Sequence, residues 1–441
     1  MNMNLYSHDD AWLMVDCGVS FSESLSAIHA NNPQNDEDAL TKKFDRISAD
    51  PSFIAQRADA LAGIVITHAH EDHLGALVDL WSRFKCPVYT TRFTALCLRH
   101  KLAESRKELD IPVHIVDDGS TEQIGPFEVQ WLALTHSMPE SYSLMIRTRV
   151  GSVFHTGDWK IDFDPVVGKP FDPLPFKQLA SENIAAMVCD STNADRSGRS
   201  VSEGACYQGL FDHVSEQSGR VLVTCFGSNI ARLITLFKVA KDTGRYVALL
   251  GRSLHTMHRH AKAAGYWPSE LDGLLYSPHQ IGYLPSEEIL IIATGSQGEP
   301  RAALSRLARN QFRDLELEEG DTVIFSSIVI PGNEEHIHRL IEQLEQKKIS
   351  VITKYNTSRT IHASGHPSEQ DLLDLYGWVQ PSLVIPTHGE QLHLAANAKV
   401  AKQAKVPRQM TGFNGDLFEL VGAKRVHKAF IEPGRIPLES N

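Results

Sequence analysis

The segment HAHEDH, from His68 to His73, places three histidines and one aspartate, Asp72, within six positions. It follows an apolar run at 63–67, which predicts a buried strand. It precedes apolar residues at helical spacing, which predict an amphipathic helix over about 72–84. His68 and His70, two apart at the exit of a strand, can point at one metal ion, while Asp72 and His73 at the helix start can serve a second. The segment therefore predicts a two-metal site on a strand-to-helix turn.

Three other apolar runs lead into residues that can bind metal. They are followed by His136, Asp158 and His388, respectively. Because functional groups gather at the carboxyl ends of strands in α/β sheets, we expect these side chains to join the first motif. The predicted ligands divide between two ions, with Asp158 as the bridge: His68, His70 and His136 for one, and Asp72, His73 and His388 for the other. Imidazole and carboxylate without thiolate favour two Zn²⁺ ions per subunit, with Mn²⁺ as the alternative.

Asp16 ends another short apolar run and stands two residues before Gly18. It is a candidate hydrogen-bond partner for a ligand histidine, since such partners orient the imidazole toward the metal. A turn-forming aspartate ahead of a glycine is an equally good interpretation, and both remain open at this point.

Composition narrows the class of protein. The chain has 441 residues, 42% of them hydrophobic, which favours two or three domains of an ordinary globular protein. No apolar stretch approaches the roughly 18 residues of a membrane span, and the N-terminus lacks a secretory signal, so we expect a cytoplasmic protein without membrane contact. Six cysteines without a Cys-x-x-Cys pair argue against a disulfide framework or a thiolate zinc ribbon, whereas 21 histidines point toward metal. A net charge of -11 argues against electrostatic binding of nucleic acid over the whole protein surface but allows a local basic groove.

Short β-branched runs alternate with helical stretches along the chain, and this alternation predicts the α/β class. The predicted strands include residues 63–67, 127–135, 152–155, 184–189, 221–225, 246–250, 289–293, 322–326, 350–353 and 383–386.

The motif at 68–73 resembles the signature of the metallo-β-lactamase fold, which serves many hydrolases. A series of further motifs is similar to the β-CASP branch of that fold, whose members process nucleic acids, and most closely to bacterial ribonuclease J. These motifs are HSMPES at 136–141, HTGDWK at 155–160, DSTNA at 190–194, ATGSQGEP at 293–300, PGNE at 331–334, SGH at 364–366 and PTHGE at 386–390.

This resemblance implies an αββα metallo-β-lactamase sandwich with an inserted β-CASP α/β domain. The implied division is 1–200 for the N-terminal part of the core, 201–357 for the β-CASP domain and 358–441 for the C-terminal part of the core. The small C-terminal domain that usually ends members of this family is expected to be absent. The resemblance also implies a homo-oligomer, although that domain is tied to subunit association in the family.

The implied activity is a metal-dependent ribonuclease that removes nucleotides 5′→3′ from single-stranded RNA with a 5′-monophosphate. Internal cuts are expected where RNA threads through the cleft. Asp72, His73, Asp190 and His366 are the expected catalytic residues, with Asp190 and His366 matched to β-CASP motifs. His366 lies on a Ser-Gly-His-Pro loop, from which it could protonate the leaving 3′ oxygen or stabilise the charged phosphorane. A plain histidine ahead of a helix over 368–375 is the competing interpretation.

A 5′-phosphate pocket is the second implied site. Gly227, Ser228 and Asn229 stand between a predicted strand and helix, where backbone N–H groups and a hydroxyl can face an anion. The resemblance adds Ser364, Gly365 and His366 to this pocket. By itself, Gly-Ser-Asn before a helix is also a simple N-cap.

Three alternatives compete with the ribonuclease. A hydrolase of small thioesters, lactams or phosphodiesters explains the metal ligands but gives the second half of the chain no purpose. A DNA nuclease of the β-CASP branch is a stronger competitor, because nothing in the sequence shows whether the site recognises the 2′-hydroxyl that distinguishes RNA from DNA. An RNA-binding scaffold with a dead site is the third, and the intact predicted ligand set argues against it.

Overall fold

The computed structural model describes residues 1–21, 46–105, 107–312 and 315–438. In chain order, its strands are β1 (Asn4–His8), β2 (Ala11–Val15), β3 (Val19–Phe21), β4 (Arg46–Ala49), β5 (Leu61–Ile66), β6 (Val88–Thr90), β7 (Val113–Ile115), β8 (Thr121–Ile124), β9 (Phe127–Leu134), β10 (Ser141–Thr148), β11 (Gly151–His155), β12 (Ala186–Asp190), β13 (Val221–Thr224), β14 (Tyr246–Leu250), β15 (Ile289–Ala293), β16 (Thr322–Phe325), β17 (Ser350–Thr353), β18 (Leu383–Thr387), β19 (Arg408–Gln409), β20 (Leu417–Phe418), β21 (Val426–His427) and β22 (Arg435–Leu438).

The helices connect and cover these strands. The α-helices are α1 (Ser52–Ala55), α2 (Glu71–Leu74), α3 (Leu77–Leu80), α4 (Arg92–Ser105), α5 (Leu174–Gln178), α6 (Cys206–Ser215), α7 (Ile230–Asp242), α8 (Arg252–Ala263), α9 (Pro278–Ile281), α10 (Ala303–Ala308), α11 (Glu334–Gln346), α12 (Glu369–Val379) and α13 (Gln391–Gln403). Short 3-10 turns occur at Ala58–Ala60, Trp81–Arg83, Leu179–Glu182, Ser269–Leu274 and Ser286–Glu288. No helix in the described ranges is long and apolar enough to span a membrane.

Two sheets pack face to face to form the sandwich. One has the order β1-β2-β5-β6-β7 and the other β19-β18-β12-β11-β10-β9-β8. Their inner faces share one apolar cluster, in which Val15 and Val65 meet Val129, Trp131 and Leu144. Helices α2 to α4 pack on the outer face of the first sheet, and α5, α12 and α13 on that of the second. Burying both faces of each sheet yields the four-layer αββα order, which confirms the predicted fold class.

The predicted helix over 72–84 is wrong as a single element. The chain instead forms α2, α3 and a 3-10 turn, because neighbouring loops take its backbone hydrogen-bonding groups. The carbonyl of Asp72 accepts from the backbone N–H of Asn2 at 2.8 Å, and the N–H of Ala76 donates to the Cys17 carbonyl at 2.9 Å. These long-range bonds replace an i→i−4 bond and hold the motif at 68–73 against the N-terminal strands.

A third sheet is wholly parallel, with the order β14-β15-β13-β16-β17. Alternate residues of its strands pack against α6 to α8 on one face and α10 and α11 on the other. The chain crosses from one side of β13 to the other between β15 and β16. Such a reversal opens a crevice at the carboxyl ends of the strands, where ligands bind in open α/β sheets. This sheet lies within the predicted segment 201–357, and the domain boundaries themselves remain a prediction.

A buried ion pair joins this third sheet to the segment after it. Arg232 on α7 donates from Nε to Glu203 at 2.7 Å and from Nη1 to the Ile361 carbonyl at 3.1 Å, and it also bonds Ser326. The Arg232 side chain is fully buried and that of Glu203 nearly so. Each charge is therefore stabilised only while its partner is present.

Arg232→Ala is expected to lower the free energy of unfolding by about 3–5 kcal/mol, because it leaves the Glu203 carboxylate buried without its partner. Urea denaturation followed by tryptophan fluorescence measures the loss. Arg339→Ala is the control, since Arg339 forms an exposed ion pair with Glu335 that contributes about 0.3–0.5 kcal/mol. Equal effects of the two substitutions would contradict the structural role of Arg232.

Candidate metal centre

Three histidines from two sheets converge on one point. His68 and His70 follow β5, and His136 follows β9 on the opposing sheet. The His70 Nδ1 atom lies 3.0 Å from His68 Nε2 and 3.1 Å from His136 Nε2. One ligand atom from each of these residues and one from Asp158 all lie within 4.8 Å of one another. The structure thus brings together the ligand set predicted for the first ion, with Asp158 beside it.

A second cluster shares Asp158. It contains Asp72 and His73 on α2 and His388 after β18, again with ligand atoms within 4.8 Å of one another. His73 Nε2 is 3.2 Å from Asp158 Oδ2, and His388 Nε2 is 3.1 Å from Asp72 Oδ2. Asp158 therefore stands between the two sets, in the position that the sequence predicts for a bridging carboxylate.

Asp16 is hydrogen-bonded to Nδ1 of the His73 ring. Its carboxylate accepts from His73 Nδ1 at 2.7 Å and from the backbone N–H of Thr67 at 2.8 Å. This contact turns His73 Nε2 toward Asp158. The turn after β2 also needs Gly18, because a Cβ there would lie 1.7 Å from the Asp72 carbonyl oxygen. Of the two interpretations of Asp16, the structure supports both, since Asp16 also has a φ of 66° typical of a tight turn.

Asp16→Asn is expected to weaken metal binding by roughly 10–100-fold, the usual effect of removing the hydrogen-bond partner of a ligand histidine. An asparagine keeps the size of the side chain but lacks the carboxylate that favours the His73 Nδ1–H tautomer. Competition between the protein and a zinc-binding dye measures this affinity. Asp59→Asn, at an exposed position, is the matched control. Equal zinc affinities in the two variants would count against the contact.

Asp190 and His366 lie beside the second cluster. Asp190 ends β12, is fully buried, and accepts from His366 Nδ1 at 2.8 Å. With Nδ1 engaged, the second ring nitrogen, Nε2, can meet a substrate. Burial opposes the protonated form of His366, but the Asp190 carboxylate outweighs it and raises the pKa of the imidazole. Thr192 connects this pair to His388, whose Nδ1 lies 2.8 Å from the Thr192 hydroxyl.

The electrostatics of the two clusters differ. In the second cluster the carboxylates outweigh burial and raise the pKa of His388 to about 10 and that of His73 as well, so a cation bound there replaces protons. Burial lowers the pKa of His70 to about 4, and it moves the pKa values of His68 and His136 in the same direction, so these imidazoles are neutral and ready to bind metal. Burial alone would raise the pKa of Asp158, yet the charges of His388 and His73 lower it well below its usual range. Its Oδ1 atom is buried and makes no hydrogen bond to any described residue. A buried carboxylate oxygen without a donor suits a bound cation.

The residues predicted for the phosphate pocket fall into two groups. Asn229 caps α7, because its side chain accepts from the Arg232 backbone N–H at 2.8 Å, as the N-cap interpretation expects. Gly227 and Ser228 are partly exposed beside it, at the carboxyl edge of the third sheet.

The other group lies against the metal centre. Gly365 accepts from His136 Nδ1 at 2.6 Å, and Ser364 accepts from Asn193 Nδ2 at 2.7 Å. Arg232 connects the two groups. Its backbone N–H donates to Asn229, and its side chain donates to the carbonyl of Ile361, three residues before Ser364. The pocket itself remains a prediction.

Several residues of the site escape sequence reasoning. Asn2 reaches the metal centre, with Nδ2 3.0 Å from His73 Nε2, and only the tertiary fold brings it there. Thr192 stands within the DSTNA motif at 190–194, so its position was indicated but its contact with His388 was not. His362 has buried ring nitrogens that make no well-formed hydrogen bond with the described residues. In the sequence, only its position two residues before Ser364 indicated that it belongs near the predicted phosphate pocket.

Three family profiles match the chain in consecutive segments. The metallo-beta-lactamase superfamily matches residues 2–179, the beta-CASP domain of ribonuclease J matches 218–344, and the RNA specificity domain of Zn-dependent metallo-hydrolases matches 355–409. Fold and site together define a metallo-β-lactamase-fold hydrolase with a β-CASP domain.

Comparison with individual proteins narrows the family further. It is 38% identical to ribonuclease J of Sinorhizobium meliloti (strain Sm2011 / Rm2011 / 2011) over 95% of this chain and 72% of that protein. It is 36% identical to ribonuclease J of Mycolicibacterium smegmatis over 98% of this chain and 75% of that protein. A solved structure of a protein of unknown function from Enterococcus faecalis V583 shares the fold, with a TM-score of 0.62, 16% identity and 96% coverage of both chains. The chain belongs to the ribonuclease J family.

Proposed function

We propose that the protein is a metal-dependent ribonuclease that degrades single-stranded RNA 5′→3′, prefers a 5′-monophosphate end and also cuts internally. The observation that carries this proposal is the shared carboxylate of Asp158, which has a three-histidine cluster on one side and the Asp72–His73–His388 cluster on the other. The relatives named ribonuclease J support RNA as the substrate.

The metal clusters and the adjacent pair have separate roles in this proposal. We assign two Zn²⁺ ions to the clusters, with Mn²⁺ as the alternative, because their ligands are imidazoles and carboxylates. Bound there, such ions activate water and neutralise charge on a phosphoryl oxygen. When the bond from phosphorus to the 3′ oxygen breaks, the departing oxygen takes a proton from His366 Nε2. Asp190 orients His366 and favours its protonated form, so Asp190 is a positioning residue.

A 5′-phosphate pocket would set the direction of digestion. Burial lowers the pKa of His362 well below its usual value, and the positive charges of Arg232 and Lys354 act in the same direction. Its neutral ring therefore stands in an electropositive region, in weak contact with the Ser326 backbone. We propose that His362 adds to Ser364, Gly365 and the loop at 227–229 in holding the terminal phosphate. With six free, buried cysteines and RNA as substrate, the protein is proposed to act in the reducing cytoplasm.

Digestion of end-labelled RNA tests the proposal. We expect mononucleotides from single-stranded RNA with a 5′-monophosphate when Zn²⁺ or Mn²⁺ is supplied, and slower digestion of the 5′-triphosphate form, whose extra phosphates overfill the pocket. The control carries Asp72→Ala and His73→Ala and should release nothing.

The other results separate the alternatives. Internal fragments whose yield does not depend on the 5′ end would support nuclease activity but contradict the proposed 5′-phosphate pocket. Equal digestion of a matched DNA strand would favour a DNA nuclease of the β-CASP branch. No cleavage of either strand by metal-loaded protein would reject the proposal.

A further inference from the structure

A cavity of about 530 Å³ opens at the carboxyl ends of β14 and β15. Its walls come from α8, α9 and α10 and from Phe312. None of the predicted metal ligands or phosphate-pocket residues lines it. Its volume lies within the usual range for small-molecule and cofactor sites. The cavity is thus a separate place on the third sheet, at the edge where α/β folds bind ligands.

The charge of this cavity is opposite to that of the whole chain. The chain carries a net charge of -11, yet Arg252 and Arg306 line the cavity and none of its described lining residues is an aspartate or glutamate. Arginine guanidinium groups bind phosphate through paired N–H donors. A basic cavity in an acidic protein indicates an anionic ligand.

An aromatic ring adds a second type of contact. The guanidinium of Arg306 lies over the ring of Phe312, 4.8 Å from its centre. Phenylalanine and arginine together provide the flat surfaces on which nucleobases stack. N–H groups that bind phosphate, together with a surface on which a base can stack, recognise a nucleotide rather than an inorganic anion alone.

The cavity also adjoins the loop predicted to bind the RNA end. A Cβ added at Gly227 would lie 2.5 Å from the Ser253 hydroxyl, and Ser253 lines the cavity. Gly251 has a φ of 131° and packs as closely against Thr294, another lining residue. These tight glycine contacts place the cavity wall directly behind the Gly227 loop. In the internal-cutting mode, a strand of RNA that continues past this loop would reach the cavity next.

We propose that this cavity is a nucleotide-binding subsite, in which Arg252 and Arg306 hold a phosphate and Phe312 contacts the base. The nucleotide is either a unit of a bound RNA strand or a free nucleoside diphosphate. The RNA source rests on the proposed function, whereas the free nucleotide does not.

Direct binding tests the subsite without cleavage. The double variant Arg252→Ala, Arg306→Ala is compared with wild type in EDTA, using fluorescent oligouridylate at several salt concentrations and ADP by titration calorimetry. The control, Arg83→Ala with Lys238→Ala, removes the same charge from exposed positions outside the cavity. For an RNA ligand, the slope of log K against log[salt] should become shallower by about 0.7 in the double variant, because the two arginines together hold one phosphate and each phosphate contact on a single strand contributes about 0.7.

Each result has one interpretation. A shallower slope in the double variant alone supports the RNA source, and loss of ADP binding in it alone supports the free nucleotide. Wild-type salt slope and wild-type ADP behaviour in the double variant would overturn the subsite. Thermal melting of both variants verifies that these exposed changes leave the fold intact. Cleavage of RNA by the metal-loaded wild type is measured separately, so a failure of the proposed function cannot be mistaken for failure of the subsite.

Discussion

Replacing Asp158 with asparagine is expected to reduce the rate of RNA hydrolysis by roughly 1,000-fold or more. Charge stabilisation by bound metal contributes several kcal/mol to such reactions, and each 1.36 kcal/mol is a factor of ten in rate. The structure makes this position the most sensitive one, because both clusters share this carboxylate. An asparagine keeps the shape and one oxygen but loses the negative charge between His73 and His388.

Metal content provides a readout independent of activity. Native mass spectrometry should show that the Asp158→Asn protein retains fewer ions than wild type after dialysis against dilute zinc. Zinc should also raise the melting temperature of wild type more than that of the variant, since the stabilisation by a ligand grows with the logarithm of its concentration over its Kd. Asp162→Asn is the matched control, because Asp162 is equally buried but pairs with Lys160 instead of the histidines. A variant at Asp158 with full metal content and normal turnover would reject the bridging role.

The predictability of this site follows from where its residues stand in the chain. His68 to His73 form one local motif, and His136, Asp158 and His388 each follow a strand that its own apolar run predicts. The strands Tyr246–Leu250, Ile289–Ala293 and Ser350–Thr353 have the bounds that the sequence indicates. Buried parallel strands read as continuous apolar runs, which explains the accuracy for Tyr246–Leu250 and Ile289–Ala293. Ser350–Thr353 is a partly exposed edge strand, and its β-branched Val-Ile-Thr run gave the signal.

The failures have a common physical cause, which is contact between distant segments. The helix over 72–84 breaks because Asn2 and Cys17 compete for its backbone groups, and no local pattern announces that competition. The same is true of the contact of Asn2 with His73 and of the contact of Thr192 with His388. Local periodicity predicts elements, whereas partners more than fifty residues away decide how the side chains between those elements are oriented.

His366→Ala is expected to lower kcat for normal RNA by roughly 100- to 10,000-fold, the usual contribution of a general acid, with little change in KM. Its imidazole is held by Asp190 through Nδ1, so Nε2 is the nitrogen that can give a proton to the departing 3′ oxygen. His366 belongs to neither of the two clusters to which zinc is assigned, so zinc content should stay at the wild-type level. Asp190→Asn should cause a smaller loss in the same parameter, because it leaves the imidazole in place but removes the carboxylate that keeps it protonated.

A substrate with sulfur in place of the 3′ oxygen separates the two roles open to His366. A thiolate leaves without protonation, so a general acid becomes unnecessary, and the His366→Ala protein should then lie within about tenfold of wild type on this substrate. If His366 instead stabilises charge on the phosphorane, the variant should be as defective on the sulfur substrate as on normal RNA, because that charge develops in both reactions. His393→Ala, a partly exposed histidine on α13, controls for the loss of an imidazole elsewhere. We expect the first result, because Asp190 engages Nδ1 and raises the pKa of His366, which leaves a protonated Nε2 as the donor.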